Sequence, residues 1–143
     1  MNRQHALGQE MKNMKFIGYA GGTIDIFDNV IVQEGASFTA PALTKADNVI
    51  VQPGASFTAP ALTKAGNVYV REDASIIAPA LTWVSGNVYV REDASFTAPM
   101  LAEVSGNVYV QPGAKFTAPM LTKADNVIVR EGGNLTAPKL NQK

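Results

Sequence analysis

The chain has 143 residues, 46% of them apolar and 17% charged, and its twelve basic and twelve acidic residues cancel. That balance fits a single domain with an apolar core; it excludes intrinsic disorder, a strongly basic nucleic-acid surface and the acidity of a nucleic-acid mimic. There is no Cys, hence neither a disulfide nor a thiolate metal site, and no apolar run approaches the roughly 18 residues of a membrane span.

Residues 1–15, MNRQHALGQEMKNMK, are polar and carry no signal-like apolar stretch, so a soluble, cytoplasmic protein is expected. They read as either a tail or a short capping helix, since Leu7, Met11 and Met14 fall at i, i+4 and i+7. His5, the one His, lies here, away from anything that reads as a site. Residues 16–27, FIGYAGGTIDIF, look like a worn copy of the unit that follows.

That unit recurs six times. Its Asn stands at Asn29, Asn48, Asn67, Asn87, Asn107 and Asn126, at intervals of 19, 19, 20, 20 and 19 residues. Each Asn opens a Val-x-Val, and each unit closes on Ala-Pro-x-Leu, from Ala40-Pro41-Ala42-Leu43 to Ala137-Pro138-Lys139-Leu140. Pro, Gly and Asn at fixed phase leave no room for a helix, whereas Val-x-Val favours strand. Each unit therefore reads as two short strands and three bends. The first strand is NVIV or NVYV, with both Val on one side. The bend after it holds Pro53-Gly54 or Pro112-Gly113, or Gly35, Asp73, Asp93 or Gly132 at the position that takes a left-handed backbone. The second strand centres on Phe38, Phe57, Ile76, Phe96, Phe116 or Leu135, and Pro ends it. A Leu column follows, and the last bend places Asp or Gly before Asn, read as a further left-handed signal.

Stacking such units at about 4.8 Å per coil gives a rod of roughly 29 Å in which Val, Phe and Leu columns fill the interior. The expected fold is all-β, a parallel β-solenoid over residues 16–140, with 141–143 as a tail. Ser85 and Ser105, the extra residue of the 20-residue units, read as one-residue bulges that keep the strand phase. The closing KLNQK, short and charged, is expected to blunt the edge of the last coil.

The segments LTWVSGNVYV (81–90) and LAEVSGNVYV (101–110) fit Leu-x-x-Val-x-Gly-x-Val-x-Val. At the level of the coil, over about residues 20–140, this resembles receptor L-domain and related leucine-rich-repeat-like solenoids. The 19-residue copies depart from it, with Ala46, Ala65 and Ala124 in place of Val and one residue fewer. The resemblance implies a right-handed solenoid and a binding or scaffolding role, and supplies no catalytic residues.

Chemistry has few candidates. The Asn column reads as a structural ladder, its side chains satisfying one another from coil to coil. Asp25, Asp28, Asp47 and Asp125 lack the oxygen density of a calcium repeat. Glu72, Asp73, Glu92 and Asp93 recur in register beside Arg71 and Arg91 and read as solvated stacks. Without a nucleophile–base pair or a phosphate loop, no enzyme, metal or cofactor is expected.

The variable columns carry more. Between the paired Val stand Ile31, Ile50, Tyr69, Tyr89, Tyr109 and Ile128, an outward row that either stabilises the sheet or meets a partner. Trp83, the one Trp, replaces Lys in the column Lys45, Lys64, Glu103, Lys123, and is either a contact hot spot or packed on a neighbouring loop. Met100 and Met120 give an apolar margin or fill the core. Ser37/Thr39, Ser56/Thr58 and Ser95/Thr97 form two hydroxyl rows, interrupted by Ile77, Lys115 and Asn134. The expected function is a non-enzymatic module that binds a protein, or a second copy, through Tyr69, Tyr89, Tyr109, Trp83, Ile50 and Ile128. A bacterial or phage inhibitor of a host protein, of the anti-defence or anti-CRISPR type, is its specific version. Alternatives are a self-assembling structural protein, glycan binding and, least of all, ice binding.

Overall fold

The computed structural model describes residues 26–140. The expected capping helix, most of the worn first unit and the tail lie outside the described residues. Within them the chain is all-β, and consecutive coils stack as a β-solenoid of about six turns. One sheet, the valine sheet, contains β1 (Ile26–Val32), β3 (Lys45–Val51), β5 (Lys64–Val70), β7 (Trp83–Val84), β8 (Val88–Val90), β10 (Glu103–Val104), β11 (Val108–Val110) and β13 (Val127–Val129). The other, the phenylalanine sheet, contains β2 (Ser37–Thr39), β4 (Ser56–Thr58), β6 (Ser75–Ile77), β9 (Ser95–Thr97), β12 (Lys115–Thr117) and β14 (Asn134–Thr136). All pairs are parallel and set like on like: Val49 on Val68, Val68 on Val88, Phe96 on Phe116.

The segment before Asn was expected to be a bend, and here the fold differs. In the second and third coils it is strand, so β3 and β5 run for 7 residues each. Ala46, Val49 and Val51 all face the core. Alternation thus slips by one residue between Ala46 and Val49, and the strand turns a corner at Asp47–Asn48, where the ladder skips Asp47 and resumes in register at Asn48. In the fourth and fifth coils the extra Ser opens this corner, dividing the strand into β7 and β8, then β10 and β11. Register survives on both sides, with Lys64 on Trp83 and Tyr69 on Tyr89, as a one-residue bulge requires.

The glycines at this corner also correct the expectation. Left-handed backbone is found at Gly35, Gly54, Asp73, Asp93, Gly113 and Gly132, all in the bend between the two sheets and none at Gly66, Gly86 or Gly106. The latter are small for another reason. A Cβ at Gly86 would overlap the Asn67 carboxamide oxygen, and one at Gly106 would overlap that of Asn87. Close approach of the preceding coil, not a positive φ, excludes a side chain there.

The Asn column is the ladder expected of it. Asn48 Nδ2 donates to Asn29 Oδ1 at 2.7 Å, and Asn67 Nδ2 to Asn48 Oδ1 at 2.9 Å. Where a Ser is inserted the backbone takes over as donor: Asn87 N–H to Asn67 Oδ1 and Asn107 N–H to Asn87 Oδ1, each 2.8 Å. Among the described residues the interior holds only apolar side chains, with Val88, Val90, Phe96, Ala98 and Leu101 of the fourth coil all fully enclosed. Each such Phe contributes about 1.5–3 kcal/mol through removal from water. Phe96 and Phe116 stack at 4.9 Å, and Ile76 separates them from the Phe38–Phe57 pair.

Candidate functional site

The outward side of the valine sheet divides at the Asn ridge into two strips. On one lies the row between the paired valines, joined by register from Ile31 through Ile50, Tyr69, Tyr89 and Tyr109 to Ile128. Because the three Tyr stand in register on successive coils that repeat at the sheet spacing, their rings lie face to face. Tyr69 and Tyr89 are 5.0 Å apart and 4° from parallel; Tyr89 and Tyr109 are 4.8 Å apart and 3° from parallel. Tyr89 has both faces covered by its neighbours, and the outer faces of Tyr69 and Tyr109 look along the row toward Ile50 and Ile128, so the strip offers mainly ring edges and hydroxyls. All three are half-buried, and Ile128, with no coil beyond it among the described residues, is exposed.

Two properties of the hydroxyls refine this row. Asn107 Nδ2 donates to Tyr109 Oη at 3.3 Å, tying one end of the row to the ridge. The Tyr89 hydroxyl has its pKa raised, first by loss of surrounding water and then by the charge that Tyr109 and Tyr69 would carry on either side.

The second strip carries Trp83. It is 37% exposed, and its column neighbours are Lys64 and Glu103. The Lys64 ammonium sits 5.6 Å from the ring centroid, and the indole Nε1 donates to Ser105 Oγ at 3.0 Å. The residue inserted in the fifth coil thus holds the indole of the fourth. The ridge separates Trp83 from Tyr89, so the structure brings together five of the six expected contact residues, Ile50, Tyr69, Tyr89, Tyr109 and Ile128, and leaves Trp83 on an adjoining strip.

Charges flank the Tyr row without forming a patch of one sign. Arg91 lies 3.7 Å from Glu72 and 3.8 Å from Glu92, all three side chains partly exposed, and such pairs contribute about 0–1 kcal/mol. Asp73 and Asp93 hold the left-handed turn position instead. Met100 and Met120 stand outside the core, 51% and 40% exposed, so they form a margin and fill nothing. On the phenylalanine sheet, Ile77, Lys115 and Asn134 interrupt the hydroxyl rows in register with Thr58, Ser95 and Lys115. Among the described residues no three His, Asp or Glu side chains converge. No protein-family model matches the chain, and neither the curated proteins nor the solved structures searched contain a match to it.

Proposed function

We propose that the protein is a non-enzymatic binding module whose valine sheet presents the Tyr69–Tyr89–Tyr109 row, bordered by Trp83, to a protein partner. The observation that carries this reading is the row itself: three rigid aromatic residues held at 4.8–5.0 Å, each with two rotatable bonds already fixed by stacking. A surface ordered in advance loses little entropy on contact, and Tyr and Trp are the residues on which interface energy concentrates. The coil-level resemblance of residues 81–90 and 101–110 to leucine-rich-repeat-like solenoids supports the same reading. Its narrower version, an inhibitor of a host protein, names the host lysate as the place to look.

Glycan binding is the weaker reading, because a sugar ring stacks on an aromatic face and most of these faces are already occupied. The test is affinity capture from host lysate on the wild type and on Tyr89→Ser/Trp83→Ala, followed by titration of the retained protein. Retention by the wild type alone supports the proposal; equal retention by both overturns it.

A further inference from the structure

The valine columns of the core are closed in the first five coils and open in the sixth. Val30 and Val32 are 0% and 1% exposed, whereas Val127 is half-buried and Val129 is 41% exposed. Val127, Val129, Leu135, Ala137 and Leu140 line a shallow hollow of about 510 Å³ on this face. Lys139, the first residue of KLNQK, turns back along its own column, with Nζ 3.8 Å from Met120 Sδ, and the rest of that segment beyond Leu140 lies outside the described residues.

The backbone of the open edge is set for pairing. The fifth coil holds the sixth through the Val108 N–H, which donates to the Asn126 carbonyl, and the Val110 carbonyl, which accepts from the Arg130 N–H, each at 2.8 Å. Repetition points the equivalent groups of the sixth coil, the Val127 N–H and Val129 C=O, away from the fifth, where they meet no partner among the described residues.

We propose that this face is a homodimer interface, with β13 pairing antiparallel to β13 of a second copy about a two-fold axis at Ile128. The edge is complementary to itself in three respects. With the axis there, Val127 lies opposite Val129 of the second copy; both face the core, so the open valine columns of the two copies close on each other. Those two residues also have their free backbone groups directed at one another, which makes them a hydrogen-bonded antiparallel pair, while Ile128 meets its own copy as a non-hydrogen-bonded pair on the outer surface. A slip by one residue would turn both valines out to solvent, so side-chain phase selects this register. On the valine sheet a head-to-tail stack would need the columns of Val30 and Val32 to be open, and they are covered, although Phe38 on the other sheet is half-buried. An isologous contact also closes, so growth stops at two copies.

The inference is independent of the Tyr row, and its test separates the two surfaces. The chain has no Cys, so a single Cys reports one contact. A non-hydrogen-bonded antiparallel pair sets Cα atoms about 4.5 Å apart, within the roughly 4.4–6.8 Å that a disulfide spans. Light scattering on the wild type should give twice the 15.2 kDa chain mass. Mild oxidation should convert Ile128→Cys, and not Tyr89→Cys, to a covalent dimer. Val129→Lys should raise the dimer dissociation constant at least tenfold with its far-ultraviolet circular dichroism unchanged. A wild-type monomer at the highest soluble concentration, open-ended growth, or a cross-link through Tyr89→Cys in place of Ile128→Cys would overturn the proposal.

Discussion

The side chain of Asn67 occupies the space that a side chain at residue 86 would need. Its Oδ1 accepts the Asn87 N–H at 2.8 Å, and a Cβ on Gly86 would overlap that same atom. One residue of the repeat thus fixes the identity of another, nineteen positions on.

Gly86→Ala is therefore expected to cost about 1–3 kcal/mol by overpacking. Asn67→Ala leaves the Asn87 N–H without its acceptor and costs a comparable amount, about 1–3 kcal/mol. Removing the carboxamide also clears much of the space, so the double variant should cost less than the sum by about 0.5 kcal/mol or more. Urea unfolding of the four proteins measures this, and strict additivity would separate the two roles.

Depth in the rod sets the cost of core truncation. Phe96 is enclosed and stacked on Phe116, so Phe96→Ala should lose about 3–5 kcal/mol. Leu135 occupies the same column in the sixth coil but is only half-buried, and Leu135→Ala should lose less than about 2 kcal/mol. The comparison is made by the same unfolding experiment, with equal losses contradicting it.

The Tyr ladder should be sensitive to alkali. The raised pKa of Tyr89 means that the folded protein holds that proton more tightly than the unfolded chain does. Its contribution to stability is whole below the unfolded value of about 10 and is lost as pH rises through the folded value. Unfolding midpoints should fall above about pH 10. In Tyr89→Phe, which keeps the stack without the ionisable hydroxyl, the fall should be shallower. Absorbance titration of tyrosinate should show Tyr89→Phe losing a late-ionising group.

Trp83 is positioned from outside the core, so Trp83→Ala should change stability by under about 1 kcal/mol. Ser105→Ala removes the acceptor of the indole N–H, and its effect should appear as a shift in Trp emission with little change in stability. Unfolding together with emission spectra checks both.

Most of the fold was legible because the repeat states it: Asn, Val-x-Val and Ala-Pro-x-Leu at fixed phase leave few arrangements other than stacked parallel coils. The third strand segment was hidden because TKADN and TKAGN carry turn residues. Their strand conformation comes from pairing with identical neighbours, which a single unit does not display. The Gly at the corner invited a backbone explanation when the cause lay a full coil away. Tyr69, Tyr89, Tyr109 and Trp83 were visible as outward letters. Whether the rings would stack, and on which side of the ridge Trp83 would stand, depended on χ angles and on the corner at Asn48.

The central claim is that the Tyr row and its Trp border meet a protein. Calorimetric titration of the protein retained from host lysate against the wild type and Tyr89→Ser/Trp83→Ala tests it most directly. The account predicts that the double variant binds at least a hundredfold more weakly while its unfolding remains cooperative. Equal affinity for the two would contradict it.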